Sequence, residues 1–350
     1  MKTTPFARTA LAAAALLAAN APSASSAQDA AGFFAGKTVT VNIGSSTGGG
    51  LDTYGRLVTR HLGKHIPGHP TIVPSNVPGA GGNIVAARLY NVAPKDGTHI
   101  AVTFPSVLVE PLLSETGRKD FDANKFNYIG NAHAEVLVCV LRNDAPAQKP
   151  EDLLKTEVLI GATAPGSTTA DFPAMTNGVL GTKMKVITGY KGSREVTLAV
   201  EKGEVQGICG LGWSTVKVQN PDILAGKSYA RVFAQEDMDG HSELNKLGVP
   251  LMISLAKSDE DRQAMQMFYA QNAFARPFIL PPGVPADRIA VLRQAFEATM
   301  KDPELLAEAE KMRIDVEWST GEAVQALVAK MYETPPAVIE RVKKAIGRNK

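Results

Sequence analysis

Three histidines at four-residue steps, His61, His65 and His69, are the first groups in this chain whose type and spacing could do chemistry. On a helix, His61 and His65 share a face and could hold a metal ion. Pro67 and Gly68 end that helix before His69, and no carboxylate follows at ligand spacing. The better reading is solvated histidines at a helix end, with no metal assigned. Nucleophilic chemistry fares no better. Gly44 to Gly48 reads G-x-S-x-G around Ser46, but a nucleophile elbow also needs a histidine and an acid brought to that serine, and no spacing in the sequence provides them. "PGSTTADF" could present Ser167, with Asp171 or His133 as partners, but nothing assembles them into a triad. Gly44 and Gly49 have the outer spacing of a phosphate loop, yet Gly50 and Leu51 stand where Lys and Ser/Thr belong. No dinucleotide fingerprint opens a helix either, so no cofactor is assigned.

What remains is a set of turns rich in small hydrogen-bond donors. "IGSSTGGGLDTYGRLVTRHLG" runs a Ser/Thr/Gly turn into an amphipathic helix, and "VPGAGGNIVAARLYNVAPKDG" does the same soon after. A helix N-terminus presents unpaired N–H groups and partial positive charge, so an anion is the natural guest. Six turns share this character: Ser45–Gly50, Gly79–Asn83, Phe104–Ser106, Pro165–Thr169, Tyr190–Ser193 and Gly210–Ser214. Phe104, Ser106 and Trp213 join the ligand-binding candidates on this ground. Any one turn could be an ordinary strand-to-helix connection, but six in one chain point together to a ligand.

The elements that must position these turns alternate. "KTVTVNIG", "TIVPSNV" and "HIAVTF" read as strands, separated by helices from Leu51 to about His65 and from Asn83 to Tyr90. A second cycle follows, with strands "EVLIGAT", "MKVITGY" and "VQGICGLG" and helices "TTADFPAMTNGVLG" and "SREVTLAVEKG". This order implies two α/β lobes, each with a parallel sheet covered by helices. "YIGNAHAEVLVCVLRND" is a β-rich run that could cross between them, and 253–276 a segment that returns. The end is helical, from "PADRIAVLRQAFEATMKD" through "GEAVQALVAKMYE". The expected division is 1–27 as a signal peptide, 28–133 with 272–350 as lobe 1, and 134–271 as lobe 2.

Residues 1–27 carry Lys2 and Arg8 ahead of the apolar "LAAAALLAANA" and small residues before Gln28, the layout of a cleavable secretory signal; a membrane anchor is the alternative. The whole chain has 37 basic and 35 acidic residues. Removing Lys2 and Arg8 leaves a formally neutral exported protein, which argues against nucleic acid as a partner. Cys139 and Cys209 could pair in an oxidising compartment or stay as buried thiols in their apolar runs.

The runs "TGGGLDTYGRLVTRHLGKHIPG", "NVPGAGGNIVAARLYNVAPKDGTHI", "APGSTTADF", "GYKGSREVTLAVEKGEVQG" and "LPPGVPADRIAVLRQAFEATMKDPEL" resemble, in order, the substrate-binding receptors of tripartite tricarboxylate transporters, the Bug-type periplasmic solute receptors. The resemblance implies a two-lobed, type II periplasmic-binding-protein-like α/β fold with the ligand cleft between lobes. It implies a monomer that captures a small organic carboxylate and delivers it to membrane subunits, without catalysis. Carried over, the first turn supplies Ser45, Ser46, Thr47, Gly48, Gly49 and Gly50, with Asp52 opening the helix. The second supplies Gly81, Gly82 and Asn83. The far lobe adds Ser167, Thr168, Thr169 and Asp171, with Tyr190 and Gly192 near the cleft. Asp52 and Asp171 would repel an anion, so capping is their expected role. The family's usual Pro-Gly-Gly-Ser-Thr-Asp is here "TGGGLD", with Gly50 and Leu51 in place of the hydroxyl pair. A periplasmic sensor subunit and an exported α/β hydrolase are the competing readings.

Overall fold

The computed structural model describes residues 32–114, 120–163, 165–224 and 228–347. The expected signal peptide lies outside the described residues. Val39, Val41 and Ile43 alternate with polar residues in Thr38–Ile43 (β1), and all three are fully buried. Gly50–Leu62 (α1) buries Leu51, Tyr54, Leu57, Val58 and Leu62 on one stripe. Thr71–Asn76 (β2), Asn83–Asn91 (α2), His99–Val102 (β3), Ser106–Leu113 (α3) and Asn127–Asn131 (β4) complete the first pass. The chain then crosses into Leu137–Arg142 (β5), Val158–Gly161 (β6), Thr168–Leu180 (α4), Met184–Ile187 (β7) and Ser193–Lys202 (α5). Gly207–Gly212 (β8), Trp213–Gln219 (α6), Ala230–Glu236 (β9) and Asp259–Tyr269 (α7) follow. The chain returns as Pro277–Leu280 (β10), Ala286–Met300 (α8), Pro303–Met312 (α9), Ser319–Thr320 (β11), Gly321–Tyr332 (α10) and Pro336–Ala345 (α11).

The strands form two sheets, ordered β2-β1-β3-β10-β4-β11 and β7-β6-β8-β5-β9. Each sheet repeats one plan. Its second, first and third strands run parallel, and then comes an antiparallel strand that has just arrived from the other lobe, β10 or β5. The fourth strand, β4 or β9, pairs with that arrival. This is the expected two-lobed type II arrangement. The run 128–144 splits as anticipated, with β4 in one sheet and β5 in the other.

Where the chain crosses, its passes lie side by side. Ala132 N donates to Arg276 O at 3.1 Å, Glu135 N to Asn272 O at 2.9 Å, and Ala134 N to Glu317 O at 2.8 Å. Apolar packing also joins the halves, because Val107, Leu108 and Leu112 of α3 belong to the same buried cluster as Phe172 and Met175 of α4. Separate clusters cover the outer faces, beneath α1 and α8 in lobe 1 and beneath α5 and α6 in lobe 2.

The structure departs from the sequence expectation at three places. Helix α11 packs on α4 and α7 of lobe 2 as well as on α3 of lobe 1, and a Cβ on Gly178 would lie 2.4 Å from Ala345 Cα. The segment expected to return at 253–276 keeps α7 against α4, so the crossing begins only near Asn272. Cys139 and Cys209, open at the sequence level, are joined as a disulfide between β5 and β8.

Candidate functional site

Three turns of lobe 1 meet at the carboxyl ends of β1 and β3. Gly44 N donates to Val102 O at 2.9 Å, and a Cβ on Gly44 would stand 3.4 Å from Gly82 Cα. Gly82 has φ 95°, and a Cβ there would meet Thr103 Oγ1 at 2.6 Å and Phe104 Cδ2 at 3.5 Å. Only glycine satisfies both the left-handed backbone and this contact. The Pro-Gly-Ala-Gly-Gly-Asn run is therefore a close-packed bridge between the first and third turns. Four successive residues there, Gly79 to Gly82, have positive φ, Ala80 among them at 46°. A non-glycine held in that region is a strained position of the kind that clusters at ligand sites.

Around this junction, several buried polar atoms have no hydrogen-bond partner among the described residues. They are Ser45 Oγ, Asn83 Oδ1 and Thr103 Oγ1 in the three turns, and His133 and Arg276 Nε beside them at the crossing. Buried polar atoms are ordinarily paired with protein or ordered water, so these atoms are open to a ligand or to water. Ser46, Thr47, Gly48, Gly49 and Gly50 form an exposed lip, where Thr47 Oγ1 lies 3.3 Å from Asn76 Oδ1. Ser106 opens α3, and Phe104 is half-buried against the lobe-1 core.

Lobe 2 presents hydroxyls. Thr163 Oγ1 donates to Ser167 Oγ at 2.8 Å, and Thr169 Oγ1 lies 3.0 Å from each. Thr168 Oγ1 donates to Gly210 O at 2.8 Å, and a Cβ on Gly210 would lie 2.1 Å from Thr168 O. That glycine lets β8 press against the α4 turn. Across from it, Ser106, Val109 and Glu110 of α3 line a small pocket with Gly166, Ser167 and Asp171, so the third turn of lobe 1 meets the α4 turn of lobe 2 there. Tyr190 is half-buried beside Gly161, and Gly192 caps α5.

The acids at these turns hold loops. Asp52 accepts from Gly48 N at 2.8 Å, Asn76 Nδ2 at 2.8 Å and Arg56 Nε at 2.9 Å. Burial raises its pKa, but those partners outweigh it and keep the carboxyl below its ordinary value. Asp171 accepts from Gly166 N at 3.0 Å, and Glu195 from Lys191 N at 2.8 Å. One device thus recurs at α1, α4 and α5: an acid inside the first turns folds the preceding loop back onto the helix. Asp52 is thus engaged by its own loop and helix. Trp213, expected at the ligand, faces the core instead. It is 1% exposed, lies in the lobe-2 core and donates its indole N–H to Glu243 at 3.3 Å, so it seats α6.

The histidine reading also changes. His61 Nε2 lies 2.8 Å from Glu308 and His65 Nε2 2.8 Å from Asp302, while Arg60 and Lys64 pair with the same acids. His61, Asp302 and Glu304 come close enough together to suggest a metal, but Lys64 bridges both carboxylates. The cluster fastens α1 to α9. Its histidines are engaged, not merely solvated.

No family model matches the sequence, and no curated protein is similar to it by sequence. Solved structures are similar. A ligand-free TctC solute-binding protein from Polaromonas aligns at TM-score 0.64 and 19% identity, over 87% of this chain and 98% of its own. The periplasmic binding protein BugD aligns at 0.66 and 19%, over 88% and 97%. MatC from Rhodopseudomonas palustris, solved with malate, aligns at 0.61 and 18%, over 87% and 99%. The chain shares the fold of these three proteins.

Within that fold, a further set of polar groups meets at the crossing, which the glycine-rich turns do not announce. Glu135 is 5% exposed and accepts from Ser214 N at 3.1 Å and Ser214 Oγ at 2.5 Å, filling the N-terminus of α6 with the chain's own carboxylate. Burial raises its pKa, yet His133, Arg276 and Ser214 together hold it below its ordinary value. Arg276 Nη2 stands 3.7 Å from Glu135 Oε2, and its guanidinium lies over the Tyr54 ring, 5.2 Å from the centroid. Tyr54 in turn stacks on His133 at 5.2 Å. None of these residues sits in a glycine-rich turn, and nothing in the sequence connects positions 54, 133–135 and 276.

Proposed function

We propose that this chain is an exported periplasmic receptor that captures a small organic carboxylate and presents it to the membrane subunits of a tripartite tricarboxylate transporter. The observation that supports this most is the close packing of three small-donor turns at the carboxyl ends of β1 and β3 in lobe 1, with α3 facing the hydroxyl-rich α4 turn of lobe 2. Helix N-termini and hydroxyls are suited to a carboxylate, each charge-assisted hydrogen bond contributing roughly 1.5–3 kcal/mol. MatC with malate, and a second R. palustris protein solved with adipate, are similarly folded proteins whose bound ligands belong to that class.

Capture fits better than catalysis. Ser214, Glu135 and His133 contain the residue types of a hydrolytic triad, but the serine hydroxyl donates straight to the carboxylate. A carboxyl held below its ordinary pKa is a weak base, and no histidine stands between them to take the proton. The test is a thermal-shift screen of the chain from residue 28 onward against di- and tricarboxylates, aromatic acids, amino acids and sugars. A ligand at a hundred times its dissociation constant stabilises by about 2.7 kcal/mol, a rise of several degrees. Hits among carboxylates support the receptor. Hits confined to sugars or cations overturn the anion reading.

A further inference from the structure

Arg276 is placed where a bound anion would need it. It arrives from lobe 2 at the head of β10, and its backbone is pinned by Arg276 N donating to Asn131 Oδ1 at 2.8 Å and Ala132 N donating to Arg276 O at 3.1 Å. Its side chain is 12% exposed. A guanidinium carries five N–H donors. Among the described residues only Nη1 makes a hydrogen bond, to Ala275 O at 2.8 Å. Nε is buried without a partner, and Nη2 approaches Glu135 at 3.7 Å, beyond hydrogen-bond reach. Glu135 is meanwhile satisfied by Ser214.

The guanidinium also borders the mouth of α1. A Cβ on Gly50, the first residue of that helix, would stand 3.4 Å from Arg276 Nη2. Here a fixed cation with free donors adjoins a helix N-terminus of 13 residues and the unpartnered, fully buried Thr103 hydroxyl of the same turn cluster. The guanidinium's spare donors thus lie beside a helix N-terminus, a second source of positive potential.

We propose that Arg276 is the specificity-determining residue of the cleft: it takes one carboxylate of the ligand in its guanidinium fork against the N-terminus of α1, with Gly50 leaving the space. The inference rests on the receptor reading above. It adds that the site reads formal negative charge, so that an isosteric amide is rejected where neutral donors alone would tolerate it. Glu135 balances the guanidinium in the empty cleft, and the ligand carboxylate supplies the hydrogen bonds that Glu135 is too distant to accept.

The experiment is isothermal titration of wild type, R276Q, R276K and E135Q/R276Q with succinate, malate, adipate and the diamide of each. Circular dichroism checks the fold of each variant. Wild type should prefer a diacid over its diamide by about 100-fold or more, and R276Q should lose about 10- to 100-fold in diacid affinity while the diamide is unchanged. R276K keeps the charge without the fork and should fall between. If R276Q does not fold, E135Q/R276Q removes both members of the buried pair and is read in the same way. Equal diacid affinity in wild type and the glutamine variants overturns the assignment while the receptor reading stands. A wild-type diacid-to-diamide ratio near one overturns it without any variant. Binding by wild type of no carboxylate at all sinks both.

Discussion

Glu236 is a residue whose cost to the fold can be measured. It is fully buried at the end of β9, one oxygen accepting from Gly210 N at 2.5 Å and the other without a partner. Burial pushes its pKa up to about 8, which the Gly210 hydrogen bond offsets only in part. A carboxyl that titrates near 4.5 when unfolded and near 8 when folded holds its proton in the native state between those values. Native stability is therefore greatest below pH 4.5 as far as this group is concerned, and it declines from there to pH 8, by up to about 1.4 kcal/mol per unit. E236Q keeps an acceptor for Gly210 N and cannot ionise. Urea midpoints at pH 5, 7 and 9 should show the variant gaining on wild type as pH rises; a constant difference would contradict the assignment. Asp52 behaves oppositely, because its buried carboxylate is charged and matched. D52A should lose about 1–2 kcal/mol in the same unfolding assay, and D52N less, since asparagine retains an acceptor for Gly48 N. A D52A variant as stable as wild type would mean that the loop holds itself.

Among the elements, β5 and β8 offer the next test. The Cys139–Cys209 bond joins these neighbouring strands across 70 residues of chain that include α4 and α5. Closing a loop of that length restricts the unfolded ensemble, a contribution of about 2–4 kcal/mol. C139A/C209A should lower the melting temperature of the isolated protein by several degrees, and reduced wild type should match it. If the variant melts with oxidised wild type, the bond does not constrain the unfolded chain. The strand-to-helix order around this bond was legible because strands of period two and helices of period 3.6 alternate cleanly, and the six small-donor turns sit at the helix starts where they were expected. The shared plan of the two sheets was less so. Period alone does not reveal that β10 and β5 insert antiparallel from the opposite lobe, since that depends on pairing between residues far apart in the chain, Phe278 with Val102 and Leu137 with Gly212. Nor does it show that α11 docks on α4 through the gap left by Gly178. Trp213 was misplaced because a turn residue beside a glycine reads as exposed, whereas its indole fills the core behind α6. Arg276 left one trace, the glycine at position 50 where a hydroxyl was anticipated, and a missing side chain does not name what occupies the space.

At the scale of the molecule, the two lobes are tied by polar contacts beside the crossing. Lys217 of α6 pairs with Asp315, and His241 lies 3.8 Å from Glu317, so lobe 2 grips the 315–317 segment of lobe 1 beside the crossing. Tyr54 OH donates to Asp315 O at 2.7 Å, which holds that segment against α1. If capture works by closure around the ligand, these pairs favour the closed arrangement, and their loss shifts the population toward an open one. Lys217 and Asp315 are partly exposed, so the pair contributes about 0.2–1 kcal/mol and is screened by salt. K217A should accordingly weaken binding of a carboxylate found in the screen by about two- to five-fold. The loss should shrink between 50 and 500 mM salt, roughly the range over which exposed pairs are screened. Small-angle scattering of the ligand-free variant should give a larger radius of gyration than wild type, with the two converging once ligand is saturating. A K217A protein with the same affinity and the same ligand-free radius would mean that the lobes are held by the shared α3–α4 apolar cluster alone, and that the cleft admits its ligand without a change in the angle between them.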